Sequence, residues 1–232
     1  MDKVEKPFVV IIGDVSGSKQ LSGRNRYQTQ LFLKSAIVQI NEEFEGFIEA
    51  PLTITKGDEF QGLIKNLEDA FQIILALEKL IFPVKMKFGI GVGKIFKMGG
   101  KLPIEMDGPA FHKANRALSH AKKKKYCYSM ETDDEALDLL ANTIFQLITA
   151  IKLRWHERHF RLYWRYKDLG TYREVAALEN ITPQAVCDTL KNSRALYVKT
   201  AEENLIQYFQ KSSAQSDQSE ALLFEEARSS LR

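Results

Sequence analysis

Cysteine is scarce in this chain. Cys127 and Cys187 are its only two cysteines, and they lie in regions of different character. They form neither a disulfide framework nor a metal-ligand spacing, so reduced thiols are expected. A membrane-spanning stretch is also lacking. The longest apolar run, within Ala70 to Phe82, is interrupted by Glu78 and Lys79, whereas a bilayer span needs about 20 apolar residues. The opening MDKVEKPFVVIIGDV has no basic segment leading into an apolar one with a small-residue cleavage site, so a cytoplasmic rather than a secreted protein is expected. There is no excess of one charge, since 33 basic against 30 acidic residues give +3. That balance is too mild to indicate an acidic partner, and the placement of charge has to be read instead. No internal repeat is present. The chain has 232 residues, 44% hydrophobic and 27% charged, which suits a globular protein of one or two domains.

Periodicity organises the first half. FVVIIG, from Phe8 to Gly13 and closed by Asp14, is a branched apolar run that predicts a strand buried on both faces. After the turn VSGSKQLSG, Asn25 to Phe44 predicts a helix, its face marked by Leu31, Phe32, Ser35, Ile37, Val38 and Ile40. Lys56-Gly57-Asp58-Glu59 between two strand-like runs predicts a hairpin. A helix over Leu67 to Phe82, a strand over Lys85 to Val92, a helix over Pro109 to Lys123 and a last strand over Tyr126 to Ser129 follow. Gly89, Gly91 and Gly93 alternate within the strand at Lys85 to Val92, a pattern that admits a closely packed backbone or a ligand. This order predicts an α+β domain over residues 1–130, a ferredoxin-like or polymerase-palm sheet with its helices largely on one face.

From Thr132 the pattern becomes wholly helical, which predicts an all-α domain over 131–210. The serine-rich KSSAQSDQS opens an expected flexible tail over 211–232 with a short amphipathic ending. Within the helical part, Thr171 to Arg194 has helix-turn-helix spacing. Val175, Ala176 and Leu178 lie on one short helix, Ile181 plugs the turn, and Thr182 caps a second helix opened by Pro183. On that second helix Gln184, Asp188, Lys191 and Asn192 are expected to be exposed, with Thr182 and Arg194 able to reach phosphate, so double-stranded DNA is the expected partner. Upstream, Lys152, Arg154, Arg158, Arg161, Arg165 and Lys167 stand against Glu157, which supplies local positive charge for a DNA backbone. Trp155, Phe160, Tyr163 and Trp164 in the same segment are expected in the interior.

The candidate chemistry of the first domain lies in Asp14 and Asp58. A palm-like sheet brings the end of the first strand beside the hairpin, and paired carboxylates suit Mg2+ or Mn2+ carrying a phosphorylated ligand. The segments IIGDVSGSKQL, ITKGDEFQGLIKNLEDAFQIILALEK, KFGIGVGKI and MDGPAFHKANRAL resemble, in order, four signature blocks of class III adenylate and guanylate cyclases, folds related to GGDEF domains. The DGPAFHKA block followed by a helical carboxy-terminal reader resembles the bacterial SatD family more closely, and the helix-turn-helix resembles that of region four of sigma factors.

These resemblances imply metal binding at Asp14 and Asp58 and a catalytic position for both together with Arg116, which would act on the phosphates. They imply nucleotide contacts from Gly17, Ser18, Lys56, Glu105, His112 and Arg116. Ile54 stands where cyclases carry a base-recognising lysine, with Lys56 nearby, and His112 stands where they carry a ribose-orienting asparagine. The expected protein is a regulator that binds a nucleoside triphosphate or cyclic nucleotide with metal and acts on transcription as a homodimer. An active nucleotidyl cyclase or related nucleotidyltransferase is the alternative. His120 continues the His112 and Arg116 face but reads as a solvated helix edge, and the run Lys122 to Lys125 as a solvated helix end.

Overall fold

FVVIIGDV forms β1 (Phe8–Val15) in the computed structural model, which describes residues 7–18, 22–97 and 102–229. There follow α1 (Gly23–Glu43), β2 (Ile48–Lys56), β3 (Glu59–Ile64), α2 (Leu67–Ile81), β4 (Met86–Gly93), the short β5 (Phe96–Lys97) and β6 (Met106–Asp107), α3 (Pro109–Lys124) and β7 (Tyr128–Glu131). Helices α4 (Glu135–Lys152), α5 (Glu157–Leu169), α6 (Tyr172–Glu179), α7 (Pro183–Asn192) and α8 (Ala195–Ser229) complete the chain. Of the turn after β1, Lys19, Gln20 and Leu21 lie outside the described residues.

The five-stranded sheet has the order β2-β3-β1-β4-β7. β1 lies at its centre, antiparallel to β3 and β4, which is why its apolar run is unbroken: Val9 and Ile11 enter the core on one face, Val10 and Ile12 on the other. β7 joins β4 in parallel, and a parallel pair needs a crossover, supplied by α3. The helices lie largely on one face, as expected, with α3 on the other. α1, α2 and α4 share the core of Val9 and Ile11, while α3 packs on Val10 and Ile12. The division follows from small residues. A methyl group at Gly89 would sit 2.2 Å from the Ala114 carbonyl oxygen, and one at Gly91 2.2 Å from that of Ala110. Ala110, Ala114, Ala117 and Ala121, all buried, form the facing side of α3. The alternating glycines thus seat a helix backbone.

The buried face of α1 is Leu33, Ala36, Ile37 and Ile40, at the i, i+3, i+4, i+7 spacing of a single stripe. Leu31, Phe32 and Val38, assigned to that face from sequence, are exposed. They lie to either side of the stripe that meets the sheet.

Both edges of the sheet are closed by an asparagine from a helix. On β2, Asn41 of α1 donates from Nδ2 to the Leu52 carbonyl at 3.0 Å and accepts from the Leu52 amide at 2.8 Å. On β7, Asn142 of α4 does the same for Met130, at 2.8 and 2.9 Å. Each carboxamide takes the place of a neighbouring strand's peptide group. Asp138 and Thr149 extend this along β7 by accepting from the amides of Thr132 and Cys127.

One apolar cluster runs from Val9 and Phe71 through Phe145 to Val186 and Phe209, so packing is continuous across residue 130. Inside it lies a buried ionic group. Lys152 of α4, 2% exposed, donates to Glu78 of α2 and to the Tyr128 hydroxyl of β7, each at 2.7 Å, and lies 2.9 Å from Glu202 of α8. Glu202, fully buried, also accepts from Lys167 at 2.8 Å and from the Tyr163 hydroxyl, both of α5. Burial alone would raise the Glu202 carboxyl, but the ammonium groups of Lys152 and Lys167 outweigh it and hold the group below its ordinary 4.5. Burial would likewise lower the Lys152 ammonium, and Glu202 and Glu78 reverse that shift to a raised one.

α8 continues as helix to Ser229 through the stretch expected to be flexible. Neither glycine nor proline occurs between Ala195 and Ser229 to stop it. The side chains of the expected amphipathic ending lie outside the described residues. No helix among the described residues is long and apolar enough to cross a membrane.

Two outcomes follow from this packing. Gly89→Ala should destabilise the fold by about 2–3 kcal/mol in urea unfolding, because the added methyl meets helix backbone and not a movable side chain. In the ionic group, a carboxyl whose pKa is lower in the folded state contributes stability above its unfolded pKa and loses it as pH falls through the folded value. The wild type should therefore lose stability on acidification below about pH 4.5, and Glu202→Gln should flatten that dependence while costing about 3–5 kcal/mol at neutral pH; thermal unfolding across pH measures both.

Candidate functional site

The first group of expected site residues gathers at one end of the sheet. Asp14 shares the alternation of Val10 and Ile12, which places it on the α3 face. Across β1 it stands opposite Glu59 on β3 and Lys87 on β4. Lys122, near the end of α3, sits over this row with its Nζ 3.0 Å from Asp14 Oδ2 and 3.5 Å from Glu59 Oε2. The first lysine of the run at the helix end is therefore an ion-pair partner of the sheet. Lys123, Lys124 and Lys125 are exposed, as the sequence predicts. Lys87 donates to the carbonyls of Ala121 and Tyr126, and burial pushes its ammonium below the ordinary lysine value.

Asp58 occupies the hairpin turn beside Gly57, whose φ of 66° makes the turn possible. Asp58 is 7% exposed. Its Oδ1 lies 3.9 Å from Arg26 of α1, and its buried Oδ2 has no hydrogen-bond partner. An orphaned buried carboxylate oxygen is costly, and here it lies on the turn that leads directly into Glu59, the cross-strand neighbour of Asp14. Among the described residues no three His, Cys, Asp or Glu side chains gather as a protein-only metal site would require. A buried carboxylate oxygen left without a partner, at the end of the sheet that also carries Asp14, is a group that a hard divalent cation arriving with oxygens of its own would satisfy, as Mg2+ does with phosphates.

Cations surround that end. Arg26 comes from the first turn of α1, exposed Lys56 from the end of β2, exposed Lys85 from just before β4 and half-buried Lys87 from its start, and Lys122 to Lys124 from the end of α3 with Lys125 following it. The loop after β1 enters the same place, where the Ser16 amide donates to the Lys85 carbonyl at 2.8 Å. Gly17 has φ 74° and Ser18 is buried.

The second group lies elsewhere. α3 runs antiparallel to β4, so its start packs by Gly93 and its end by Gly89 and the start of the strand. His112 is ten residues from Lys122 in α3, about 15 Å along the axis. It is exposed and 3.5 Å from Asp107. Arg116 is 60% exposed and makes a two-pronged ion pair with Glu131 of β7, its Nε 3.0 and 3.1 Å from the two oxygens. This pairing raises the guanidinium further. Glu105 is exposed in the turn before β6, and its carboxylate accepts from the Leu102 amide. Within one chain, then, Asp14, Asp58, Lys56, Gly17 and Ser18 lie at one end of the sheet, whereas Arg116 and His112 belong to the opposite half of α3 and Glu105 to the turn before β6. His120 is held by Ser129 at 3.1 Å and packs against Tyr126, and so is not simply solvated.

In the helical part, Thr182 caps α7 by accepting from the Ala185 amide, and Asn180 turns the chain with φ 54°. Gln184, Asp188, Lys191, Asn192 and Arg194 are exposed, with Gln184 bonded to Asp188 at 2.8 Å. The upstream basic segment is less positive than its sequence suggests. Lys152 and Lys167 are consumed by Glu202 and Glu78, and Arg161 and Arg165 by Glu179. Their partners lie outside the segment, so a local charge sum misses them. Arg154 and Arg158 remain exposed. Arg154 is brought to the end of α7 because Trp155 Nε1 donates to the Ser193 carbonyl at 2.8 Å. Trp155, Tyr163 and Trp164 are buried and Phe160 half-buried, as expected.

Sequence reasoning missed Glu59, Arg26, Lys87 and Lys122. Glu59 stood beside Asp58 in the quoted hairpin, but the other three are placed by strand register and helix packing.

No curated protein matches this chain. Among solved structures, it is similar to a bacterial light-regulated adenylyl cyclase, with 13% identity, 54% of this chain and 75% of that chain covered, and a TM-score of 0.40. The guanylyl cyclase domain of the RhoGC fusion protein from the aquatic fungus Blastocladiella emersonii is similar at 14% identity, with coverages of 51% and 76% and a TM-score of 0.39. For the adenylyl cyclase CyaB from P. aeruginosa the figures are 14%, 59%, 81% and 0.40. The SatD family model matches residues 8–206, which include β1, both carboxylate turns, the α3 block and the helices as far as the first half of α8: the chain belongs to the SatD family.

Proposed function

We propose that this protein is a nucleotide-responsive regulator in which the Asp14 and Asp58 end of the sheet binds the phosphates of a nucleotide together with Mg2+ or Mn2+, and the α6 and α7 pair contacts double-stranded DNA. The observation that carries the first half is the unpartnered, buried Oδ2 of Asp58, with Arg26 3.9 Å from its other oxygen and the Asp14 to Lys122 ion pair at the same end of the sheet. Asp14 and Asp58 would hold the metal, which when bound supplies charge neutralisation to a polyphosphate. Arg26, Lys56 and the exposed lysines at the end of α3 would take the remaining phosphate charge, and the Gly17 and Ser18 turn would bring backbone amides to it.

Binding without turnover is the preferred reading because Ile54 and His112 stand where cyclases carry the base-recognising lysine and the ribose-orienting asparagine; Arg116, the residue matched to phosphate stabilisation, is paired with Glu131 in the first half of α3. Bringing an arginine of that kind to Asp14 calls for a second copy, so a homodimer belongs to the proposal. Support for the DNA half is the exposed α7 face, with Arg154 held at its end by the Trp155 bond to Ser193. The ionic group around Lys152 and Glu202 would transmit changes between the two parts, since it joins α2 and β7 to α5 and α8.

Titration calorimetry of ATP and GTP with Mg2+ or Mn2+ should give saturable binding that Asp58→Asn weakens at least tenfold without unfolding. No binding by the wild type would remove the nucleotide half, and metal-dependent pyrophosphate release in the same samples would make the protein a cyclase or related transferase. For DNA, mobility shifts at several salt concentrations should show affinity falling with salt. Neutralising Arg154, Arg158 and Lys191 together should reduce the logarithmic salt slope by about one for each phosphate that no longer meets a cation. Salt-insensitive or absent binding would leave α6 and α7 as a protein-contacting bundle.

A further inference from the structure

Asp14 and Glu59 are directly opposed across β1 and β3 on the face that α3 covers. Like charges at directly opposed strand positions repel, and this pair is shielded by the helix from bulk water on one side. The structure places a cation on it. Lys122 Nζ lies 3.0 Å from Asp14 and 3.5 Å from Glu59, although its side chain, 39% exposed, has open solvent available. The neighbouring Lys123, Lys124 and Lys125 have no ion-pair partner among the described residues, so one lysine of the run is selected for this position. Lys87, on the other side of Asp14, is committed to the carbonyls of Ala121 and Tyr126. Among the described residues Lys122 is thus the ammonium group within ion-pair distance of Asp14, with Lys87 further off across the strand pair.

We infer that Lys122 is an internal counter-ion that competes with the divalent cation for Asp14 and passes to ligand phosphate when a metal-bound polyphosphate arrives. The inference rests on the metal and phosphate reading of this site and adds its regulation. An ammonium group and a divalent cation drawn to one carboxylate repel each other. Metal alone must bind Asp14 against Lys122, whereas a metal polyphosphate complex offers the ammonium new oxygens. The site would therefore discriminate against free metal and favour metal arriving on a phosphate chain. The lysine also has the reach to transfer, being on the last turn of α3 among exposed lysines.

The test compares Mn2+ alone with MnATP on the full chain, using calorimetry and the electron paramagnetic resonance signal of free Mn2+. Lys122→Met keeps the aliphatic stem and removes the charge, and Lys122→Gln serves if the methionine variant does not fold. Both should bind Mn2+ alone about tenfold more tightly than wild type and MnATP several-fold more weakly. In metal-free buffer each should melt lower than wild type, and Mn2+ should raise its melting temperature more than that of wild type. A purely structural lysine would shift both affinities in the same direction or neither. Unchanged or weaker Mn2+ affinity in the variants, with wild-type binding intact, would overturn the counter-ion role alone. No binding of Mn2+ or MnATP by any form would overturn the site on which it rests.

Discussion

The pairing of Lys152 with Glu202 is the constraint on which the rest of this structure depends. Two full charges stand in a core where each alone would be strongly disfavoured, and they are tolerated because the group draws its partners from several elements. Glu78 comes from α2, Tyr128 from β7, Tyr163 and Lys167 from α5, and Glu202 from α8. Aromatic rings enclose it, with Lys152 within 5.4 to 6.0 Å of the ring centres of Tyr128, Trp164 and Tyr163. Apolar packing between the sheet and the helices could slide by small amounts at little cost. A buried ionic group cannot, so it fixes how α5 and α8 sit on the sheet and, through Trp155 and Ser193, where α7 is carried.

That fixity gives meaning to the charge at the far end of the sheet. The carboxylates of Asp14 and Glu59 stand on strands whose other faces belong to the same core as the ionic group, and Asp58 lies on the turn between β2 and β3. Tyr128 pairs with Phe88 across β7 and β4 and packs on its ring. Phe88 in turn packs edge-on to Phe60, two residues from Asp58. A short chain of rings thus spans the sheet from the hairpin to Lys152. Electrostatic events at the hairpin and the placement of the helices share one set of contacts.

The order of the elements was legible because hydrophobic period decides it locally: a branched apolar run for β1, a Gly-Asp turn for the hairpin, capped 3.6-residue stripes for the helices. Asp14 and Asp58 were legible as turn carboxylates at strand ends. What escaped was everything set by pairing across long sequence distance. The face taken by α3 depends on glycines at 89 and 91 meeting alanines at 110 and 114, a signal visible only when the two segments are compared. Lys152, Arg161, Arg165 and Lys167 read as a basic stripe because Glu78, Glu179 and Glu202 lie in other elements. Lys122 read as one of four solvated lysines because nothing local singles it out for Asp14. The break expected after Gln210 was inferred from serine content, which disfavours helix only weakly, whereas no residue there forbids it.

The asparagines at the two edges carry a consequence of their own. Asn41 and Asn142 occupy the main-chain groups of Leu52 and Met130 that an incoming strand would need. Propagation of this sheet into a neighbouring copy, the first step toward a fibrillar aggregate, would have to evict a bidentate amide at either end. Self-association is thereby steered away from backbone templating and onto helix surfaces, where side-chain chemistry can choose the partner.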